Sequence, residues 1–190
     1  MKNNKKNTIR IISGKFKGHI ILIKKNLKIR PTTNRMRETL FSWIHNKIVN
    51  AKCLDCFSGS GALGIEATSR YAHSVTCIEQ DTKTVHALKK MSVKFKKSNI
   101  RVIHANALKW LKRIREPYDI IFLDPPFKTQ LLQTAIFQLE KYKYVQNNSL
   151  IYIEREKTSD KLLIPNYWKL CKEKKTTYTN CQLYVKEKNI

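Results

Sequence analysis

From residue 52 to residue 155, short apolar runs alternate with segments of helical period. "KCLDCF", "SVTCIEQ", "IRVIHA", "YDIIFLD" and "SLIYIER" read as strands, because they are short, rich in β-branched residues and bounded by turn formers. Between them lie "ALGIEATSRY", "TKTVHALKKMSVKF", "ALKWLKRI" and "TQLLQTAIFQLEKY", whose apolar residues recur at helical spacing. This alternation constrains the fold more than any other feature. Strand–helix–strand units give a parallel sheet with helices on both faces. The expected class is therefore α/β, a doubly wound and mostly parallel sheet. The tail adds two closing strands, in "WKLCKEKKTT" and "CQLYVKE", the last of them antiparallel. Ligands of such sheets bind beyond the C-terminal ends of the strands.

The segment before the alternation has its own pattern. "TIRIISG" and "GHIILIKK" flank "SGKFKG" as a short β-hairpin. The extended "RPTT" then leads into a helix that carries Met36, Leu40, Phe41, Ile44 and Ile48 on one face. The expected division is a hairpin extension over residues 1–30 and a sheet domain over residues 31–190.

Several classes fall away. The opening "MKNNKKNTIRIISGKF" has no apolar leader core, and no apolar run approaches the ~20 residues of a membrane span. A cytoplasmic protein is expected, without membrane partners and monomeric. The five cysteines are an odd number, and four sit in apolar or strand-like surroundings, which suits reduced, buried thiols. Cys53 and Cys56 form a C-x-x-C, but no second pair and no histidine at ligand spacing accompany it. Core packing is expected there, and no metal.

The formal charge of +24, from 38 basic and 14 acidic residues, favours polyanionic partners. Abundant Lys, Asn and Ile are also what an AT-rich genome produces, so part of this charge is compositional. The nine arginines run against that bias, and three of them, Arg30, Arg35 and Arg37, fall within eight residues.

Two strand ends carry the chemistry. Only five glycines occur in the chain, against a usual ~7%. Gly59, Gly61 and Gly64 lie together in "LDCFSGSGALGIEA", a G-x-G-x-x-G that follows a strand and opens a helix. No G-K-[ST] follows, so it is not a P-loop. The next strand ends in Glu79, placed to accept hydrogen bonds from ribose hydroxyls. By itself this pair also fits a dinucleotide site, or a tight turn with a surface acid. The strand "YDIIFLD" ends in Asp124, followed at once by Pro125, Pro126 and Phe127. The prolines fix φ and remove two backbone donors, which leaves carbonyls as acceptors. A carboxylate, a carbonyl and an aromatic face suit a flipped-out base with an exocyclic amine. A rigid turn would explain the prolines, but not the whole combination.

Together these pieces resemble the class I, S-adenosylmethionine-dependent methyltransferases, whose sheet is Rossmann-like. "DPPF" is similar to the motif of those that methylate exocyclic amino groups of nucleobases. "IRIISGKFKGHIILI", "LKIRPTTNRMRETLFSWI", "CLDCFSGSGALGIEATSRYA", "IEQD", "NAL", "IIFLDPPF" and "LIYIE" resemble the RsmD family over nearly the whole chain. That resemblance implies methylation of guanine N2 in bacterial 16S ribosomal RNA, at rRNA position 966, on the small subunit or its assembly intermediate. It implies that Asp55, Phe57, Gly59 and Gly61 hold the methionine part of S-adenosyl-L-methionine. Glu79 would take the ribose, and Gln80, Asn106 and Ala107 would meet the adenine. Gln80 stands where the family pattern has an apolar residue. Asp124, Pro125, Pro126 and Phe127 would hold the guanine. The hairpin and the segment with Arg30, Thr32, Arg35 and Arg37 would contact RNA.

The chemistry follows from the amine. Its lone pair is delocalised into the ring, so accepting its hydrogens at Asp124 and the Pro125 carbonyl helps it pyramidalise. Transfer is then in-line between positioned reactants, without a covalent intermediate or a metal. Guanine places N1–H and N2–H side by side, which matches a carboxylate with two acceptor oxygens. Two other readings remain open: a DNA or other RNA amino-methyltransferase, and a non-catalytic, basic RNA-binding assembly factor. A chain of 190 residues leaves no room for a separate target-recognition domain, and both key motifs are intact.

Overall fold

The computed structural model describes residues 8–22, 34–95, 99–126, 129–158 and 161–188. The hairpin forms from β1 (Thr8–Arg10) and β2 (Ile20–Leu22), paired antiparallel. The predicted single helix is two, α1 (Asn34–Trp43) and α2 (His45–Ile48), with a break at Ile44. The break does not displace the apolar stripe, since Met36, Leu40, Phe41, Ile44 and Ile48 are all buried.

The alternation then runs as expected. It comprises β3 (Lys52–Asp55), α3 (Ala62–Ser69), β4 (Ser74–Glu79), α4 (Thr82–Lys94), β5 (Ile100–His104), α5 (Ala107–Trp110), β6 (Tyr118–Leu123), α6 (Thr129–Lys141) and β7 (Val145–Glu156). The tail gives β8 (Trp168–Lys175) and β9 (Thr179–Lys186). The seven-stranded sheet has the order β5-β4-β3-β6-β7-β9-β8. All its strands run parallel except β9, which is antiparallel to both neighbours. The expected mostly parallel sheet with an antiparallel last strand is the one observed.

Two cores sandwich this sheet. On one face Met36, Leu40 and Phe41 of α1 and Leu63 and Ala67 of α3 pack on Cys53, Ile120, Phe122, Tyr152 and Leu183. On the other, Leu132, Ile136 and Leu139 of α6 pack on Leu54, Ile121, Ile151 and Ile153. Cys53, Cys56, Cys77 and Cys181 are buried free thiols, and Cys171 is exposed. Burial raises the pKa of each of the four buried thiols, so they act as apolar filling.

The hairpin lies on α3 and α4. Ile9, Ile11 and Ile21 pack with Ala62, Ile65, Leu88 and Phe95. Its turn sits against the C-terminal end of α3. The Lys15 N–H donates to the Ser69 carbonyl at 2.8 Å, and Phe16 stacks on Phe95. Gly14 has φ 82°, and a Cβ there would stand 1.8 Å from the Ser69 carbonyl oxygen, so only glycine allows the approach.

A buried acid fastens hairpin and helices together. Glu66, in the middle of α3, accepts from the N–H groups of Ile12 (2.8 Å) and Ser13 (3.0 Å) and from Arg70 Nε (2.8 Å). Arg37 of α1 comes within 3.7 Å of the same carboxylate. Its other terminal nitrogen donates to the Arg10 carbonyl (2.8 Å) and to Asn34 Oδ1 (2.7 Å). Both side chains of the Arg37–Glu66 pair are fully buried. Arg37 was expected to touch RNA. It is instead an internal strut, because its guanidinium is fully buried beside the Glu66 carboxylate and donates to a backbone carbonyl and an amide oxygen.

No described helix is long and apolar enough to cross a membrane.

Candidate active site

Strand order reverses between β3 and β6. The chain leaves β3 toward β4 and β5, while β6 leads toward β7. The loops after β3 and β6 therefore diverge and open a crevice at the C-terminal edge, where open α/β sheets bind ligands.

Asp55 closes β3 and is buried. Its Oδ2 accepts from the Gly64 N–H at 3.1 Å, and its carbonyl accepts from the Ser58 hydroxyl at 3.0 Å. A Cβ on Gly64 would come within 2.5 Å of Cys77 Sγ and 3.2 Å of Asp55 Oδ2. Glycine there lets the first turn of α3 close directly on the carboxyl. Burial pushes the Asp55 carboxyl up to about 7, the Gly64 amide partly offsets this, and the charge of Glu79 raises it further. The neutral form of this carboxyl is thus favoured on folding, in the direction that burial dictates.

The turn between β3 and α3 uses left-handed backbone at Gly59 (φ 48°) and Gly61 (φ 75°). The Gly61 N–H donates to the Ser58 carbonyl at 2.7 Å, and the Ser58 N–H to the Ile78 carbonyl at 2.9 Å. The loop is thereby tied to β4. Phe57, beside Asp55, is half-buried against the α6 side of the core.

Glu79 ends β4. Its Oε2 accepts from the Gly59 N–H, and its Oε1 from those of Gln80 and Asp81, each at 2.8 Å. One carboxylate therefore clamps the glycine turn to the loop after β4, with acceptor capacity left on Oε2, which takes one of these bonds while Oε1 takes two. Beyond β5, Asn106 caps α5 by accepting from the Lys109 N–H, and its amide donates to Gln80 Oε1 at 3.1 Å. Gln80 and Asn106 thus form a polar pair between the loops after β4 and β5. Ala107 is buried next to it. Asp55, Gly59, Glu79 and Asn106 come from three successive loops of one edge.

Asp124 follows β6 and is half-buried, Pro125 is buried and Pro126 is exposed. Leu123 is level with Ile153 of β7, and Glu154 with Cys181 of β9. Next to Asp124 the Tyr152 hydroxyl donates to Glu154 Oε2 at 2.9 Å. Burial above all raises the Tyr152 hydroxyl and the Cys181 thiol, and the charge of Asp124 pushes both further. Arg35 is exposed at the start of α1. Its carbonyl accepts from the Thr39 hydroxyl, which in turn accepts from Lys174 Nζ of β8. Arg30, Thr32 and Phe127 lie outside the described residues. No group of three or more His, Cys, Asp or Glu residues fit to hold a metal occurs among the described residues.

Sequence reasoning passed over three supports. Ser58 braces the turn. Glu154 and Tyr152 alternate onto one face in "LIYIE". Glu66 is a lone acid in a helix whose eight residues are all buried, a pattern that by itself calls for a partner.

The chain is similar to known proteins in sequence and fold. A family model described as "Conserved hypothetical protein 95" matches residues 9–185. "Ribosomal RNA small subunit methyltransferase D" of Buchnera aphidicola (subspecies Baizongia pistaciae) is 54% identical over 190 residues, covering 99% of this chain and 97% of its own length. The Escherichia coli K12 protein of that name is 42% identical, over 94% of this chain and 90% of that one. Among solved structures, "Putative methyltransferase yhhF from Escherichia coli" superposes with a TM-score of 0.90 at 39% identity, over 96% of this chain and 100% of that one.

Proposed function

Since the chain belongs to the RsmD family of methyltransferases, we propose that it transfers a methyl group from S-adenosyl-L-methionine to the exocyclic N2 of a guanine in the 16S RNA of the small ribosomal subunit. One juxtaposition supports the reading. The glycine turn held by Asp55 and Glu79 faces Asp124-Pro125-Pro126 across the crevice between β3 and β6. The residues fit the cofactor. Asp55 holds the first turn of α3 in place, and Glu79, Gln80 and Asn106 supply acceptors and a donor for a nucleoside. When bound, S-adenosyl-L-methionine would supply an electrophilic methyl group, its sulfur keeping the electron pair of the broken S–C bond.

The chain's own groups do the rest. Glu79 and the glycine turn fix one reactant, and the Asp124 segment fixes the other, so the reaction is made effectively intramolecular. Asp124 accepts hydrogen from the target amine, which draws the nitrogen lone pair out of the ring. As the new N–C bond forms, one proton leaves the amine, and Asp124 is placed to receive it. The buried Tyr152–Glu154 pair holds the strand end beside Asp124.

Mass spectrometry of nucleosides from 16S RNA tests the proposal. Cells lacking the gene should lose one N2-methylguanosine, and the purified protein with cofactor should restore it. Unchanged N2-methylguanosine in such cells would refute it.

A further inference from the structure

The turn between β8 and β9 stands at the same sheet edge as the crevice, and the reaction proposed above leaves it unused. Its place is fixed by pairing. Glu154 of β7 is level with Cys181, and Glu156 with Thr179. At ~4.8 Å between strands and ~3.3 Å per residue, Thr179 lies about 10 Å sideways and about 7 Å outward from Asp124.

The turn is rigidly built. The Thr176 N–H donates to the Thr179 carbonyl at 2.8 Å, and the Thr176 hydroxyl accepts from the N–H groups of Tyr178 (3.3 Å) and Thr179 (2.9 Å). Lys157, just past β7, donates its N–H to the Tyr178 carbonyl at 2.9 Å, which stitches the turn to the neighbouring strand end. On this fixed support Tyr178 is 63% exposed. Lys157 and Lys175 are exposed at the turn, and Lys174 of β8 reaches across to Thr39, beside exposed Arg35. Two carboxylates share the surface. Glu156 is exposed, and Glu173 is engaged by Asn180, Gln182 and Lys175.

We infer that this turn is an RNA-binding surface, on which Tyr178 stacks an unpaired base flanking the target nucleotide while the lysines meet its phosphates. The inference rests on RNA being the substrate. A base methylated at an exocyclic amine must leave its stack, and its neighbours lose a stacking partner. An exposed aromatic ring near the crevice supplies a new one, and cationic side chains track the backbone. Lysines on the edge strand β8 also discourage strand pairing with other chains. That role makes no use of Tyr178.

Fluorescence anisotropy with a labelled single-stranded RNA oligonucleotide, and with the same strand annealed to its complement, provides the test. Tyr178→Ala is expected to weaken single-strand binding on the order of tenfold and to leave duplex binding unchanged, whereas Tyr178→Phe stays within about twofold of wild type. Lys157→Gln and Lys175→Gln should each lower the log–log salt slope by about 0.7. Wild-type affinity in Tyr178→Ala, or an equal loss on single strand and duplex, overturns the stacking role, and unchanged slopes overturn the phosphate contacts. Methyl transfer is measured separately. A protein that transfers no methyl group yet loses RNA binding through Tyr178→Ala would overturn the reaction proposed above and keep this surface.

Discussion

Replacing Arg37 with methionine removes a guanidinium while keeping most of its apolar stem. In the folded protein this leaves the Arg10 carbonyl and Asn34 Oδ1 without that donor, and the buried Glu66 carboxylate without one of its two cations. Removing one member of a buried ion pair costs about 3–5 kcal/mol. The lower end applies, because Glu66 keeps Arg70 and the N–H groups of Ile12 and Ser13. A loss of about 3 kcal/mol lowers the melting temperature of a chain this size by about 6–12 °C. Urea and thermal unfolding followed by circular dichroism measure it. The double variant Arg37→Met with Glu66→Leu should not recover, since the two hairpin amides then lose their acceptor. RNA affinity measured across a salt series should keep its slope, because the guanidinium faces no solvent. A stability change under ~1 kcal/mol together with a slope reduced by about one unit would mean that Arg37 reaches phosphate, and the strut would be refuted.

Three further outcomes are expected. Asp124→Ala should fold and bind cofactor, yet lose methyl transfer by on the order of a hundredfold or more, with Asp124→Asn intermediate; wild-type turnover in the alanine variant reduces the motif to a turn. Glu79→Ala should weaken binding of S-adenosylmethionine and of its demethylated product in calorimetry, because the clamp on the glycine turn is lost; equal affinities would place the cofactor elsewhere. Asp55 is raised from 3.8 to about 7, chiefly by burial. A carboxyl raised on folding stabilises fully below its unfolded pKa and loses that contribution as pH climbs through the folded one. Wild type should therefore lose stability relative to Asp55→Asn between pH ~4 and ~7, by at most ~4 kcal/mol; a pH-independent difference would contradict it.

The strand ends were readable because both signals are local. Glycine on left-handed backbone at positions 59 and 61, an acid closing β4, and Asp-Pro-Pro closing β6 each follow from a few adjacent residues. Arg37 shows where local reading stops. It falls on the buried series 37, 41, 44, 48, so its burial was visible in the helical spacing. Clustering with Arg30 and Arg35 suggested a shared solvent role instead. Its partner Glu66 is 29 residues away, and nothing in either segment names the other. The clamp that Glu79 makes on the glycine turn was equally hidden, since the amide of Gly59 reaches it only after β3 and β4 pair. The break at Ile44 has no evident marker in the sequence.

The attachment of the hairpin also sets an order of events during synthesis. A two-stranded hairpin is at best marginally stable alone in water. Here the apolar side of Ile9, Ile11 and Ile21 is covered by Ala62, Ile65, Leu88 and Phe95, and the N–H groups of Ile12 and Ser13 find their acceptor on Glu66. None of these partners exists until dozens of residues later in the chain. Once made, the two hairpin strands are thus obliged to keep their apolar side uncovered until α4 has emerged.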